Sequence, residues 1–480
     1  MNAAELFEEL PVKRVPGNAS HIEIKHVVTS PKEADESSLY VACKTAIFNG
    51  RYGVQIAYAR GCRAFLCAYD AYPGEGAAVW IADEPERLSG ILAARVYGYP
   101  ARQMTVLGIT GSTGKSSITL QTVRVLRDAG RQVSALYSDG TDILGDRSYP
   151  GVIVPDAVCI QRQLAEMARR GSEIAVLELS SYQLAHFAAE GIPFTAVLLS
   201  NLDERHVGNG EHESLAAYRE AKLSLLRCSG AFCVMPDTVR AQASGRVLYI
   251  GNEGELWTEN VRTERSPIAS PHTRLSLCSD EGKVDITLPV TGDFFAENAA
   301  CTAMLCRIVG LSWQQIAKGL SVAAVPGRLE CLVARYERLV YMDAAFLPQD
   351  LERVLKELRR LTTGRLCVLL GSVGGRAVSR RAPLVRTAER LADHLYITAD
   401  DPDFEDPVQI CNAMHAAMHE PRRATVLADR GTAIRRAVRE MRPGDVLLLL
   451  AKPYPAGQLV QGAFIPFDER REVQETFAEF

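Results

Sequence analysis

The stretch GITGSTGKSS (108–117) carries the clearest chemistry in the chain, because its three glycines precede Lys115 and Ser116. It follows a strand-like run and opens a helical pattern. Glycines let the backbone turn tightly and direct N–H groups at an anion, and the helix start adds a favourable dipole. The lysine would neutralise a β/γ-phosphate and the serine hydroxyl would bind Mg²⁺. The loop predicts a nucleoside triphosphate site, although Ile109 replaces the first glycine of GxxxxGK[ST] and an ordinary strand–helix turn is the alternative.

Polar side chains also follow two later strand-like runs. Glu178 ends the run EIAVLE, and Asn201, Asp203, Glu204 and His206 follow FTAVLLS. Open α/β sheets bind ligands at the carboxyl ends of their parallel strands, and Mg²⁺ prefers oxygen ligands. The sequence therefore predicts a metal site here, with a solvated strand end and a structural histidine as the alternatives.

Length and composition limit the remaining possibilities. The 480 residues suit about three domains, at roughly 150 residues each. A net charge of -4 and a pI near 6.2 give no global attraction to nucleic acid or an anionic membrane.

The twelve cysteines form no CxxC pair, so buried, reduced thiols are expected. The N-terminus lacks an apolar signal core and no apolar run could span a bilayer, so we expect a cytoplasmic protein.

The order of strand-like and helical runs predicts an α/β protein with a mostly parallel central sheet. We place an N-terminal domain at 1–100, a central nucleotide-binding domain at 101–330 and a C-terminal Rossmann-like α/β domain at 331–480. The segment VAAVPGRLE is typical of a linker before the third domain.

Five motifs in order resemble the signature series of the Mur ligases: GITGSTGKSS, LELSSYQL, NLDERHVGNGEHESLAAYREAK, TGDFFAENAACTA and VPGRLE. The resemblance implies the three-domain architecture of that family, with a central P-loop ATPase domain. It also implies ATP-dependent amide formation in peptidoglycan precursor synthesis. The N-terminal and C-terminal stretches are similar to the branch that adds the third peptide residue to UDP-N-acetylmuramoyl-alanyl-glutamate.

In that family ATP phosphorylates a carboxylate, and an incoming amine attacks the acyl phosphate to give an amide, ADP and phosphate. The resemblance implies catalytic roles for Lys115, Glu178, His206 and Lys222. Ser116, Glu178, His206 and Lys222, the last as a carbamate, are expected to bind magnesium. Without the resemblance, Lys222 in its helical pattern would be read as a solvated lysine.

The resemblance also assigns binding residues. ATP is expected to contact the loop, the adenine-binding asparagine and two residues at the junction with the third domain: Gly111, Ser112, Thr113, Gly114, Lys115, Ser116, Ser117, Asn298, Arg328 and Asp343. The last two could instead form an inter-domain salt bridge. Substrates are expected to contact Ser30, Asn49, Asp156, Ser180, Arg376, Asp400, Asp401, Asp403 and Lys452.

The departures from the family pattern concern the substrates. Ile153 and Val154 stand where paired threonines are usual, and they cannot donate hydroxyl hydrogen bonds. Phe346 replaces a histidine. In the last motif Lys452 is kept, whereas YP (454–455) replaces histidine and glutamate.

Asp403 replaces the arginine that would grip a diaminopimelate carboxylate, so the local charge is reversed. We therefore expect an acceptor other than diaminopimelate, such as lysine or ornithine. Arg376, Arg380 and Arg381 could receive a carboxylate or phosphate, and a solvated basic loop is the alternative.

Two other functions remain open: a specialised ligase acting on another carboxylate and amine, and an ATP-binding paralogue without catalysis. The expected partners are small molecules, with no nucleic acid and no membrane, and the chain is expected to be a monomer.

Overall fold

The computed structural model describes residues 1–15, 22–43, 50–69, 71–148, 155–203, 212–265, 270–375, 378–450 and 457–480. The chain divides into two compact units, Met1–Glu255 with Ala303–Leu311, and Leu256–Thr302 with Ser312–Phe480. The three domain ranges inferred from the sequence remain predictions. Within the described ranges, every helix is too short or too polar to cross a membrane.

The first unit begins with a small sheet in the order β1-β5-β4-β3-β2. Its strands pair in parallel except for β1, which is antiparallel to β5. The elements are α1 (Ala3–Leu6), β1 (Lys13–Val15), β2 (His26–Val28), β3 (Ser38–Val41), α2 (Gly50–Ala59), β4 (Ala64–Cys67), β5 (Ala78–Ile81) and α3 (Pro85–Val96).

The same unit contains the predicted parallel sheet, with the strand order β13-β12-β11-β6-β10-β7-β8-β9. Its elements are β6 (Thr105–Thr110), α4 (Lys115–Asp128), β7 (Val133–Tyr137), β8 (Gly140–Ile143), β9 (Asp146–Ser148), α5 (Ala157–Arg169), β10 (Ile174–Glu178), α6 (Ser181–Ala185), β11 (Phe194–Leu199), α7 (Leu215–Ser224), β12 (Ser229–Pro236) and β13 (Arg246–Ile250). Strands β13, β12, β11, β6, β10 and β7 pair in parallel in that order, and β8 and β9 add an antiparallel edge beyond β7.

The central strands β6 and β10 have the sequences expected of parallel strands that are covered on both faces of the sheet. Every residue of β10 is buried, and β6 is buried from Val106 onward. Strands covered on both faces have nearly continuous apolar sequences, as IAVLE and TVLGIT do. Both strands therefore end at one edge of the sheet, and each is followed by a polar loop.

The second unit contains antiparallel strands β14 (Leu256–Glu264), β15 (His272–Ser279) and β16 (Gly282–Leu288), paired in that order. Two helices follow in the chain, α8 (Phe295–Ile308), whose residues from Ala303 onward belong to the first unit, and after it α9 (Trp313–Leu320). The short 3₁₀ helices of the chain are Pro31–Glu33, Pro100–Gln103, Leu225–Arg227 and Pro421–Arg423.

A further sheet of the second unit has the order β17-β18-β22-β19-β20-β21, parallel except at the edge strand β17. A separate hairpin joins β23 and β24. The elements are β17 (Glu330–Arg335), β18 (Arg338–Asp343), α10 (Pro348–Leu361), β19 (Leu366–Leu370), α11 (Val378–Leu391), β20 (His394–Ile397), α12 (Pro407–Ala416), β21 (Ala424–Val426), α13 (Arg430–Arg439), β22 (Val446–Leu450), β23 (Gly457–Val460), β24 (Ala463–Pro466) and α14 (Glu469–Phe477).

Candidate functional site

The glycine-rich loop lies between β6 and α4, as its sequence predicts. Gly111 and Gly114 both have positive φ, 154° and 81°. A Cβ added at Gly111 would lie 1.9 Å from the Ser200 hydroxyl oxygen, so only glycine fits this crossing. Among the described residues, no side chain caps the start of α4. The first N–H groups of the helix therefore remain for an anion.

Asn201, two residues after the end of β11, holds residues 112–113 at the crest of the loop. Its Oδ1 accepts the backbone N–H groups of Ser112 (3.0 Å) and Thr113 (2.9 Å). Its Nδ2 donates to the carbonyl and hydroxyl oxygens of Thr113, at 3.2 and 3.1 Å. Ser112 and Thr113 were predicted to contact ATP, and their N–H groups are bonded within the protein. The phosphate-facing donors are better sought from Gly114 onward.

Two lysines converge on one carbonyl of the loop. Lys115 Nζ donates to Gly111 O at 3.2 Å, and Lys222 Nζ donates to the same oxygen at 2.6 Å. Lys222 lies on α7 and is only 2% exposed. The alternative of a solvated lysine is therefore wrong, and the fold brings Lys222 to the loop although 111 residues separate it from Gly111.

Tyr218 joins this cluster and was not singled out from the sequence. Its hydroxyl lies 2.7 Å from Ser112 Oγ, and the centre of its ring lies 4.8 Å from Lys222 Nζ. The N–H of Asp203 donates to the same Ser112 Oγ at 2.9 Å. The sequence spacing of Tyr218 and Lys222 could have indicated Tyr218, since positions four apart on a helix share a face.

Glu178 ends the strand beside the loop. It pairs in register with Ile109 of β6 and is 5% exposed. Ser138, the residue after β7, donates its hydroxyl to Glu178 Oε1 (2.6 Å) and its backbone N–H to Oε2 (3.1 Å). The carboxylate is therefore held at two points, and Ser138 is a second residue that the sequence did not reveal.

Ser116 and Glu178 suit a magnesium ion by the chemistry of their oxygens. Ser116 is in the first turn of α4 and is 8% exposed. Mg²⁺ binds few protein oxygens and completes its shell with phosphate and water, so a small donor set is adequate. The described ranges contain no cluster of three or more His, Cys, Asp or Glu side chains that could hold a metal ion. His206 lies outside the described residues.

The N-terminal substrate candidates lie around the start of α5. Asp156 caps that helix by accepting the N–H of Cys159 at 2.8 Å, and it also accepts the hydroxyl of Thr29. Ser30 follows directly in the chain. Ser180 begins α6 in a capping box with Gln183, so its oxygen already accepts an N–H. Asn49, Ile153 and Val154 lie outside the described residues.

Asn298, Arg328 and Asp343 belong to the expected nucleotide set. Asn298 is on α8 and is buried. Asp343 ends β18, and its Oδ2 accepts the N–H of Leu329 at 2.7 Å. Burial raises the pKa of Asp343 from 3.8 to about 6, against the opposing charge of Arg328. This aspartate is therefore a buried group at a strand end, where loss of its proton is costly.

The predicted acceptor loop (400–405) is bonded to the β23–β24 hairpin. Asp401 Oδ1 accepts the N–H of Leu459 at 2.9 Å, and Gln458 Nε2 donates to Asp400 O. Asp403 has a φ of 50° and its Oδ1 accepts the N–H of Gly462 at 2.8 Å. Asp403 therefore shapes a turn in addition to carrying a charge. Lys452 and the residues 454–455 lie outside the described residues.

Arg381 requires a correction, because we offered it as a receiver of a carboxylate or phosphate. Its guanidinium binds both oxygens of Glu405 at 2.8 Å, and its Nε donates to Ser372 Oγ at 3.2 Å. This pairing holds the pKa of Glu405 down at about 2. Arg381 is thus an internal brace of the acceptor loop. Arg380 is exposed, and Arg376 lies outside the described residues.

Comparison with known proteins matches the chain to two family models, the Mur ligase middle domain over residues 109–306 and the Mur ligase glutamate ligase domain over 327–452. A UDP-N-acetylmuramoyl-L-alanyl-D-glutamate--2,6-diaminopimelate ligase of Chromobacterium violaceum is 31% identical, over 95% of this chain and 94% of its own. The ligase of the same name from Chelativorans is 29% identical over 100% and 99%. A solved structure of a ligase so named has a TM-score of 0.68 at 21% identity, covering 100% and 99%.

Fold, loop and comparisons define an ATP-dependent acid–amino-acid ligase. The chain belongs to the Mur ligase family.

Proposed function

We propose that this ligase activates the carboxylate of a UDP-N-acetylmuramoyl-dipeptide-like donor and joins it to an amino acid, as the third-residue-adding branch does. The observation that carries the proposal is the convergence of Lys115 and Lys222 on Gly111 O, beside the strand that ends in Glu178. A site for nucleotide binding alone has no need of Lys222 as a further, buried lysine at the loop. The names of the relatives support the same donor.

The proposed roles follow from charge and position. The N–H groups at the start of α4 and the ammonium of Lys115 bind the phosphates of ATP. Ser116 and Glu178 would hold a magnesium ion, which neutralises phosphate charge when bound. Lys222, as a neutral amine, adds CO₂ and loses a proton to become a carbamate. His206 is proposed as a further metal ligand. Asn298, Arg328 and Asp343 are proposed to bind the nucleotide.

Phosphoryl transfer leaves little covalent work for the protein, so these groups act by positioning and by neutralising charge. The donor carboxylate is proposed to reach the γ-phosphate from the side of Ser30 and Asp156. The acyl phosphate is then attacked by the amine of the acceptor, and phosphate leaves.

We further propose an acceptor that is not diaminopimelate, although the relatives above carry that name. The support is Asp403, which would repel a distal carboxylate and attract a distal ammonium. Lysine and ornithine fit that sign. We also propose that the enzyme acts as a cytoplasmic monomer.

The test supplies purified protein with Mg²⁺, ATP, UDP-N-acetylmuramoyl-L-alanyl-D-glutamate and one amino acid at a time. Diaminopimelate, lysine, ornithine and alanine form the panel, and products are identified by mass. We expect phosphate release only with both substrates and a larger kcat/KM for lysine or ornithine. A preference for diaminopimelate would contradict the acceptor proposal, and ATP hydrolysis that ignores both substrates would contradict the ligase.

A specialised donor is the second candidate, favoured by Ile153 and Val154 in place of hydroxyl residues. It predicts no product with the standard donor and a product with another carboxylate offered alongside a mixture of amino acids.

A further inference from the structure

We propose that Ser138 is a positioning residue for Glu178, and that its hydroxyl sets how strongly Mg²⁺ strengthens nucleotide binding. The inference rests on the proposed nucleotide and metal site. Ser138 is exposed, whereas Glu178, whose carboxylate it holds, is only 5% exposed. Ser138 therefore lies on the open side of the sheet edge, where a ligand would arrive.

The geometry gives the carboxylate one orientation. Glu178 Oε1 accepts the Ser138 hydroxyl at 2.6 Å, while Oε2 accepts the Ser138 N–H at 3.1 Å. Two donors from one residue, one on each oxygen, prevent rotation of the carboxylate plane. Each carboxylate oxygen has about two acceptor sites, so each keeps one for a cation. Hydrogen bonds to an ionised acceptor are roughly twice as strong as neutral ones.

The register explains why this particular serine reaches Glu178. Strands β7 and β10 are parallel neighbours, with Leu136 opposite Leu177. Ser138 therefore leaves β7 at about the level where Glu178 ends β10. On the other side β10 neighbours β6, which leads into the glycine-rich loop. Strand β10, which ends in Glu178, thus lies between the strand that leads to Ser138 and the strand that leads to the proposed phosphate-binding loop.

Strand β7, which Ser138 directly follows, supplies a control serine. Ser134 is fully buried on β7, and its hydroxyl lies 2.6 Å from that of Ser172 while also accepting the N–H of Leu144 at 3.2 Å. Within the part of the chain that the structure describes, its hydroxyl bonds only to uncharged groups and makes no hydrogen bond to Glu178. If the hydroxyls of Ser134 and Ser138 only stabilise the fold, substituting either one should change the Mg²⁺-dependent gain in nucleotide affinity equally.

The experiment measures binding of fluorescent N-methylanthraniloyl-ADP to the whole protein with and without Mg²⁺. We expect Ser138→Ala to reduce the gain in affinity due to Mg²⁺ about tenfold, the effect of losing a hydrogen bond to a charged group. Affinity without Mg²⁺ should stay within about twofold, and Ser138→Thr should restore the gain. Ser134→Ala should leave the gain unchanged even if it lowers the melting temperature.

The outcomes separate the two proposals. If the wild-type protein shows no gain with Mg²⁺, the proposed metal site itself is wrong. If the wild type gains affinity and Ser138→Ala gains equally, the role of Ser138 is overturned. Equal losses in Ser138→Ala and Ser134→Ala would also overturn it, because they would reveal a general structural effect.

Discussion

The glycine-rich loop of the first unit and the acceptor loop of the second both follow parallel strands, and both are held by side chains from neighbouring segments. They differ in which side chains form the hydrogen bonds that hold the loop. Around Gly111, Asn201 and Tyr218 brace the loop, and the ammonium groups of the two lysines also donate to the Gly111 carbonyl. In the acceptor loop, the polar groups at Asp401 and Asp403 themselves form the bracing bonds to the hairpin.

The difference shows that a charged residue at a motif position can serve shape, recognition or both. Around the nucleotide loop, Asn201 and Tyr218 make bracing contacts in addition to those of the two lysines, so part of the bracing does not depend on a charged residue. In the acceptor loop a substitution such as Asp403 changes the turn and the charge together. Its functional effect can be isolated only by changing one of these at a time.

The largest effect is expected at the nucleotide loop. Lys115→Ala removes the ammonium group that we propose to bind the phosphates and should lower kcat for ATP-dependent ligation at least about 1,000-fold. Steady-state phosphate release measures it. Arg124→Ala, on the exposed face of α4, should leave the rate within about twofold. A similar loss in both variants would mean that helix stability, rather than phosphate charge, is responsible.

The second effect concerns Asp343 and pH. Its pKa of about 6 exceeds the ordinary 3.8, so the folded protein binds this proton more tightly than the unfolded chain. The resulting stabilisation is fully present below about pH 4 and is lost as the pH rises through 6, an amount of about 3 kcal/mol. Asp343→Asn should remove this pH dependence, as measured by urea unfolding between pH 4 and 7.

The exposed Asp280, in the turn between β15 and β16, provides the comparison for that measurement. Asp280→Asn should follow the wild-type stability curve across the same pH range. If Asp343→Asn also follows it, the carboxyl of Asp343 is not a costly buried charge.

The smallest effect, and the sharpest test of the acceptor loop, is Asp403→Asn. Asparagine tolerates the positive φ and can still accept the N–H of Gly462, so unfolding free energy should change by less than about 0.5 kcal/mol. Loss of the charge should reduce the preference for lysine over diaminopimelate several-fold, as read from kcat/KM ratios. Asp403→Arg should invert the preference but destabilise the turn by about 1–2 kcal/mol.

A change in ATP affinity without a change in acceptor preference, in either Asp403 variant, would refute the assignment of this loop. It would also remove the distinction drawn between the two regions.

The sequence predicted the sheets well because buried parallel strands carry apolar runs that few other structures accommodate. The ends of β6, β10 and β11 were predicted for this reason, and so was the approach of Glu178 to the loop. The family match supplied Lys222, whose burial no local pattern indicates. Arg381 was misjudged because a basic loop gives no sign of an acidic partner 24 residues away.

Side-chain bracing was the part that the sequence analysis missed, although the helical spacing of Tyr218 and Lys222 offered one sign of it. Ser138, Tyr218 and Asn201 act through contacts across strands or between a helix and a loop, and each contact depends on register to within one residue. The roles of the site residues remain predictions, and His206, Asn49, Arg376 and Lys452 also lie outside the described residues.

The amide of Asn201 has one more consequence. Because it occupies the N–H groups at the crest, this segment keeps its conformation when no anion is present. An arriving triphosphate meets donors that are already assembled, so little backbone entropy is lost on association. Calorimetry of nucleotide capture should accordingly report a small heat-capacity change, characteristic of a rigid cradle.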